Sequence, residues 1–142
     1  MIERAGPRMY RLLDDHSIEL VEDFEKWVRQ EGGAIRRVAF DEVSPGVAVS
    51  TIFLGIDHSF RDRGAPLIFE TMVFTDYGGD EQLRWRTWSE AMAGHDLTVA
   101  RHRKIVDELQ ALRDLPDDQI DTSDIPEVTD WSKATRGPFK RK

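Results

Sequence analysis

Residues 47–57 (VAVSTIFLGID) constrain the fold of this chain more than any other segment. β-Branched and aromatic residues dominate the run, and both types favour extended structure. Its nearly continuous hydrophobicity predicts a strand that is covered on both faces. We therefore expect a sheet built around this strand.

The segments on either side predict its neighbours. Residues 34–40 (AIRRVAF) and 67–74 (LIFETMVF) have strand-like patterns, and we predict that residues 34–74 form a three-stranded antiparallel meander. Ser44-Pro45-Gly46 has the order of a type II turn, with glycine at the position of positive φ. A further short strand is predicted at residues 9–13 (MYRLL), followed by the turn residues Asp14, Asp15 and Ser17.

Two helices are predicted. From Leu20 to Glu31 the apolar residues recur at helical spacing, and Gly32-Gly33 would end that helix; they are Leu20, Val21, Phe24, Trp27 and Val28. Thr87 and Glu90 fit a capping box, in which each would bond a free amide at the start of a long helix over about 88–113. The order β-α-β-β-β-α predicts an α+β domain: an antiparallel sheet of about four strands, two helices on one face, and an extended tail.

Charge divides the chain near residue 113. Residues 114–130 hold seven acids and no base, whereas residues 131–142 hold five bases and no acid. High charge, few core-forming residues and no regular period predict an extended or disordered tail, 114–142, after a domain of residues 1–113.

Composition excludes several classes of function. The net charge of −7 argues against nucleic acid as the partner of the domain, because phosphate binding needs a basic face. The absence of cysteine excludes a disulfide scaffold and a thiolate nucleophile or metal ligand. No apolar run approaches the ~20 residues of a membrane span, and the N-terminus lacks the apolar region of a secretory signal. We expect a cytoplasmic protein with no cofactor and no membrane partner; a homo-oligomer remains open.

The first candidate site is the end of the strong strand, where Asp57-His58 precedes Arg61 and Arg63. A histidine beside an acid could act as a base, and the arginines could hold an anion. The alternative is that Asp57 and His58 simply terminate a hairpin.

Glu70 is the most informative single residue. It lies inside the apolar run LIFETMVF, and an unpaired buried carboxylate costs several kcal/mol. Either it has a structural partner (Arg84, Arg86 or a helix histidine) or it lines a ligand pocket. If it lines a pocket, Glu70→Gln should leave the fold intact and remove binding.

Two further clusters are candidates. Trp85, Arg86 and Trp88 could stack a small nucleotide, or they could form a core edge and a helix cap. His95 and His102 share an apolar helix face, but seven residues place their Cα atoms roughly 10 Å apart, which is unsuited to a shared metal ion. We therefore predict no metal site there.

The segments VSTIFLGIDHSF, PLIFETMVF and TWSEAMAGHDLTVAR together resemble small proteins of tailed bacteriophages and prophages that have no established activity. The resemblance covers roughly residues 9–112 and implies a genomic setting, with the host cytoplasm as the compartment. It carries over no catalytic residue, although its motifs include Asp57, His58, Glu70 and His95.

The tail, IDTSDIPEVTDWSKATRGPFKRK, is similar to a segment of BrnA-type antitoxins. In those proteins related segments accompany a ribbon-helix-helix domain. We expect no such domain here, so the similarity does not imply DNA-binding repression. The similarity leaves two interpretations. The tail is either a peptide that docks on a partner through Trp131 and Phe139, or a solvated extension.

These observations lead to a ranked expectation. First is a non-enzymatic phage or prophage accessory protein that binds a protein partner or a small anionic ligand. The alternative is a counter-defence protein that sequesters a small nucleotide signal through Arg61, Arg63, Trp85 and Arg86. A small hydrolase that uses His58 and Glu70 ranks lowest, since no nucleophile accompanies them.

Overall fold

The computed structural model describes residues 7–31, 36–59, 64–76, 81–121, 123–124 and 128–134. The chain divides into two compact units, residues 1–108 and residues 109–142. Among the described residues, no helix is long and apolar enough to cross a membrane.

The chain is α+β, as predicted, and its sheets are antiparallel. In chain order the elements are β1 (Met9–Leu12), β2 (Ile18–Val21), α1 (Phe24–Glu31), β3 (Arg36–Ser44), β4 (Val47–Phe53), β5 (Phe69–Thr75), β6 (Glu81–Trp85) and α2 (Trp88–Arg113). A short 3₁₀ turn, Asp117–Gln119, follows in the second unit.

The larger sheet has the order β3-β4-β5-β6, so its first three strands form the predicted meander. The turn between β3 and β4 has Gly46 at φ 79°, a backbone conformation that glycine adopts without steric cost. The fourth strand is β6 rather than residues 9–13. The sequence around β6 gave no strand signal, because its residues EQLRW are mostly polar and half-buried.

Burial of β4 alternates strictly, and this corrects the prediction that both faces of the strand are covered. Val47, Val49, Thr51 and Phe53 are buried, whereas the residues between them are half-buried. The buried face packs against α2, whose Val99 joins Val49 and Val73 in the core. We call the other side, which carries Ala48, Ser50 and Ile52, the open face of the sheet.

β1 belongs to a separate two-stranded sheet with β2. The predicted helix from Leu20 therefore begins too early, since residues 18–21 are a strand. The reason is local: Asp15 accepts hydrogen bonds from the backbone amide and the hydroxyl of Ser17, at 2.9 and 2.5 Å, and this turn folds β2 back on β1.

The helix α1 then starts behind Asp23, whose carboxylate accepts the Lys26 amide at 3.0 Å. Only part of the apolar stripe is used for packing. The Trp27 indole donates to the Tyr10 carbonyl at 3.0 Å, whereas Leu20, Phe24 and Val28 are exposed.

The start of α2 has the predicted cap with one change of partner. The Thr87 hydroxyl accepts the Glu90 amide at 3.1 Å. The Glu90 carboxylate accepts the Arg86 amide at 2.9 Å, one residue before the expected Thr87 amide. Both bonds satisfy donors that a helix start would otherwise leave unpaired.

In the second unit, α2 ends at Arg113, and the Gln110 side chain donates to the Asp114 carboxylate at 3.1 Å. The described residues from 116 onward are all exposed. The division of the chain at residue 113 stays a prediction.

Candidate functional site

Asp57 lies just beyond β4 and acts as a structural clamp. Its carboxylate accepts the backbone amides of Ser59 and Leu67, both at 2.9 Å, and pairs with the Arg8 guanidinium. Burial alone would raise the pKa of Asp57, but these hydrogen bonds outweigh burial and hold the pKa below its ordinary value of 3.8. The carboxylate is therefore ionised at neutral pH and fully engaged in holding the loop.

His58 continues the hairpin that follows β4 through its backbone. The backbone amide of His58 donates to the Leu67 carbonyl at 2.9 Å, which continues the pairing of the hairpin. Arg61 and Arg63 lie outside the described residues, so the prediction that they hold an anion stays a prediction.

Glu70 projects from β5 onto the open face of the sheet and is nevertheless buried. Its Oε2 atom accepts hydrogen bonds from Arg84 Nε at 3.0 Å and from Gln82 Nε2 at 2.7 Å. Arg84 lies directly opposite Glu70 on β6. Of the three structural partners considered for Glu70, Arg84 is the one that pairs with it. The ion pair and the amide together satisfy the carboxylate, which explains how it is tolerated inside an apolar run.

His95 lies at the opposite side of the sheet, between α2 and the strands, with 1% of its surface exposed. Its Nδ1 atom is 2.8 Å from Thr51 Oγ1, and its Nε2 atom is 3.0 Å from Asp41 Oδ2. Thr51 Oγ1 is in turn 2.7 Å from Thr71 Oγ1, which accepts Trp85 Nε1 at 2.9 Å. These five residues (Asp41, Thr51, Thr71, Trp85 and His95) are called the His95 network.

The donors and acceptors of the His95 network can be ordered from its two ends. A carboxylate only accepts, so Nε2 of His95 carries the proton toward Asp41. With the imidazole neutral, Nδ1 is an acceptor, and Thr51 must donate to it. Thr51 then accepts from Thr71, which itself accepts from the indole of Trp85, a group that only donates. Every member of the network is satisfied in this arrangement.

The arrangement of Asp41, His95 and Thr51 resembles that of a hydrolytic triad, but the threonine is fully buried. A nucleophile must reach its substrate, and Thr51 instead joins the central strand to α2. The His95 network therefore positions the helix on the sheet.

The second helix histidine, His102, has a separate partner. Its Nε2 atom is 3.3 Å from Glu81 Oε2, and Arg101 also donates to Glu81, at 2.6 Å. The two histidines thus bond to different carboxylates. Within the described ranges, no three His, Asp or Glu side chains are grouped as metal ligands.

The predicted tryptophan–arginine cluster is split by the fold. Trp85 packs its ring against Gly94 in α2, where a Cβ atom would lie 2.6 Å from Cη2. Trp88 stacks on His16 with ring centroids 3.8 Å apart and an angle of 4° between the planes. Arg86 donates through Nη1 to the Ala65 carbonyl.

Beside the stacked rings lies an open cavity of about 520 Å³, which we call the His16 cavity. Its lining residues come from the β1–β2 turn and from the start of α2: Asp15, His16, Ser17, Ile18, Arg86, Thr87, Trp88 and Ser89. The volume is within the range of ~300–1,000 Å³ that is typical of small-ligand sites. Hydrogen bonds from Ser17 lower the pKa of Asp15, so this wall carries a carboxylate.

Sequence reasoning missed His16 and Asp41. His16 has a positive φ of 66°, which is uncommon outside glycine. The turn residues on either side of it could have indicated a position at a loop tip, but its contact with Trp88 spans 72 positions. Asp41 is 54 residues from His95, and nothing local in the sequence indicates that pairing.

In the second unit, Trp131 is 70% exposed. Phe139 lies outside the described residues. Docking through these two aromatic residues stays a prediction.

No protein-family model matches this chain, and comparison with curated proteins and with solved structures gave no significant match.

Proposed function

We propose that the protein is a non-enzymatic binding protein that holds a small nucleotide-like anion in the His16 cavity. The observation that carries this proposal is the cavity itself, in which a stacked ring pair, a guanidinium and a carboxylate line one space. The proposed site keeps Arg86 and Trp88 of the expected tryptophan–arginine cluster and has His16 in place of Trp85.

The chemistry of the lining suits the parts of a nucleotide. The exposed imidazole of His16 offers a flat surface for a base, backed by the Trp88 indole. Arg86 has donors beyond the Nη1 group that bonds Ala65, and a guanidinium fits phosphate oxygens. Both hydrogen bonds from Ser17 end on Oδ1 of Asp15. The Oδ2 atom can therefore accept a hydrogen bond from the amino group of a base.

The roles of the other candidate residues support binding over catalysis. Asp57 clamps a loop, Glu70 pairs with Arg84, and His95 joins α2 to the sheet. Each of these groups maintains the fold through contacts that a reacting group would have to give up. A hydrolase that uses His58 and Glu70 would require Glu70 to give up its ion pair with Arg84 in order to react.

A thermal-shift and calorimetry panel of nucleoside mono-, di- and triphosphates and cyclic nucleotides tests the proposal. A ligand present at 100 times its Kd should stabilise the protein by about 2.7 kcal/mol. Arg86→Gln should abolish this shift, while Arg29→Gln, an exposed arginine on α1, should leave it unchanged. The proposal fails if no nucleotide stabilises the protein at millimolar concentration, or if the two variants respond alike.

A second candidate function is docking to a protein partner through the second unit. It is favoured by the exposure of Trp131, since buried aromatic side chains dominate the energetics of protein interfaces. Trp131→Ala should then remove a partner that wild type captures from its native host, with Leu97→Ala as a control at another exposed apolar residue. A capture profile that survives Trp131→Ala eliminates this candidate.

The setting that we propose is a phage or prophage genome and the cytoplasm of its host, with sequestration of a nucleotide defence signal as the specific role. Neighbouring genes test it directly. Adjacent defence or counter-defence genes support sequestration, whereas the absence of phage genes on either side overturns the setting.

A further inference from the structure

The open face of the larger sheet carries a groove that is distinct from the His16 cavity. It has a volume of about 370 Å³. Its described lining residues come from β3, β4, β5 and the adjoining turns: Phe40, Glu42, Gly46, Val47, Ala48, Phe74, Thr75 and Asp76. We call this the Phe40–Phe74 groove.

The shape of the groove follows from the strand register. Ala48 on β4 lies directly opposite Glu42 on β3 and Phe74 on β5. The small alanine thus forms a floor between larger neighbours, with Phe74 beside it on β5 and Phe40 diagonal to it on β3, opposite Ser50. The two phenylalanines are 49% and 45% exposed, so the walls present apolar surface to whatever enters.

The charge of the groove is acidic at its rim. Glu42 and Asp76 both line it, and none of its described lining residues is basic. Asp76 is held in place, because its amide donates to the Gly46 carbonyl at 3.1 Å and its side chain lies against the Gly46 Cα. The guanidinium carbon of Arg37, on β3, lies 4.9 Å from the centroid of the Phe40 ring.

The contact between Arg37 and Phe40 indicates which kind of ligand the groove would bind. The Phe40 ring already attracts a guanidinium on one side, as aromatic faces do through their quadrupole. A ligand that offers an apolar ring to the floor and a cation to the rim would match both the shape and the charge of the groove.

We propose that the Phe40–Phe74 groove docks a segment of a partner protein that presents an aromatic side chain next to lysine or arginine. The aromatic ring lies over Ala48 between the two phenylalanines, and the cation pairs with Glu42 and Asp76. This interaction is independent of the His16 cavity and goes beyond the binding of a small anion.

The test uses the full chain labelled with ¹⁵N and the peptide acetyl-Lys-Phe-Lys-amide as the probe. Amide shifts should concentrate at Phe40, Ala48 and Phe74. Two control peptides separate ring from charge: acetyl-Lys-Ala-Lys-amide lacks the ring, and acetyl-Glu-Phe-Glu-amide reverses the charge. Each should bind roughly threefold to tenfold more weakly than the probe, as expected from losing the ring contact or exposed ion pairs.

Two variants make the test specific. Glu42→Lys should lower the affinity for the probe and raise the affinity for the Glu-Phe-Glu peptide. The same charge reversal at Glu108, an exposed residue of α2, should leave both affinities unchanged. Ala48→Phe should fill the groove and abolish binding of the probe. If that variant does not fold, the contrast between Glu42→Lys and Glu108→Lys decides the matter.

Three results would overturn the proposal. One is equal affinity for the probe and the Glu-Phe-Glu peptide. Another is a set of amide shifts that lies away from the three groove residues. The third is a dimer in light scattering whose interface protects those same amides, because a second copy of the chain would then be the occupant.

Discussion

Gly94→Ala should destabilise this protein, although the same change in an ordinary helix interior stabilises it by about 1 kcal/mol. The sign reverses because the Trp85 ring lies against the helix backbone at this point. A Cβ atom on residue 94 would lie 2.5 Å from Cε2 and 2.6 Å from Cη2 of the indole. Carbon atoms pack at about 3.5–4.0 Å, so the ring would have to move by about 1 Å.

That movement is opposed by the His95 network. The Trp85 indole donates to Thr71 at 2.9 Å, and a 1 Å displacement would take this bond beyond hydrogen-bonding distance. An unmade buried hydrogen bond costs ~1–3 kcal/mol, and overpacking costs a similar amount. After the gain in helix propensity, we expect a net loss of about 2–4 kcal/mol.

Urea denaturation, monitored by circular dichroism, measures this loss. The urea concentration at the unfolding midpoint should fall, and the m-value should not change. The matched control is Gly94→Ala in a Trp85→Phe background, where the smaller ring removes the collision. There the alanine should be neutral or stabilising, which gives a coupling energy of about 2–4 kcal/mol between the two positions. An increase in stability on Gly94→Ala in both backgrounds would refute the packing of Trp85 against α2.

Three further predictions concern the polar contacts. Thr51→Val keeps the shape of the side chain but removes the donor to His95 Nδ1 and the acceptor for the Thr71 hydroxyl, so denaturation should show a loss of ~1–3 kcal/mol. Ser50→Ala, on the open face of the same strand, should change stability by less than about 0.5 kcal/mol. The pKa of Asp57 in the folded protein is below the ordinary value of 3.8. Its contribution to the free energy of unfolding is therefore fully present above that ordinary value, and it is lost as the pH falls through the folded pKa. The stability gap between wild type and Asp57→Asn should therefore narrow on acidification from pH 7 to pH 3, and a constant gap would contradict this reasoning. Glu70→Gln should lower stability by about 0.5–2 kcal/mol, because Arg84 loses its counter-ion on a partly exposed face, and nucleotide affinity measured by calorimetry should not change; loss of that affinity would return Glu70 to the ligand site.

The parts of the fold that could be predicted are those whose signal is local. The meander follows from the β-branched run at residues 47–53 and from the Pro45-Gly46 turn, both of which act over a few residues. The cap of α2 follows from Thr87 and Glu90 for the same reason. The apolar stripe from Leu20 to Val28 was misleading, because the turn at Asp15 placed its first residues in a strand.

The candidate site could be predicted only in part, because its pairings are distant in sequence. The apolar surroundings of Glu70 showed that it needed a partner, and the cross-strand position of Arg84 could be guessed once β6 was known. His95 is 44 residues from Thr51 and 54 from Asp41. Such pairs depend on how α2 crosses the sheet, and a local pattern does not encode that.

The two faces of β5 carry polar side chains with different structural roles. Thr71 points toward α2. Its hydroxyl bonds to Thr51 and accepts a hydrogen bond from Trp85, and the His95 network formed in this way holds the helix on the sheet. Its neighbour Glu70 points to the open face, where an ion pair to Arg84 satisfies the carboxylate without help from the helix. Substitutions on the open face therefore leave the attachment of α2 intact. Substitutions of Glu42 or Asp76 in the Phe40–Phe74 groove, which lies on that face, should therefore cost the fold little stability.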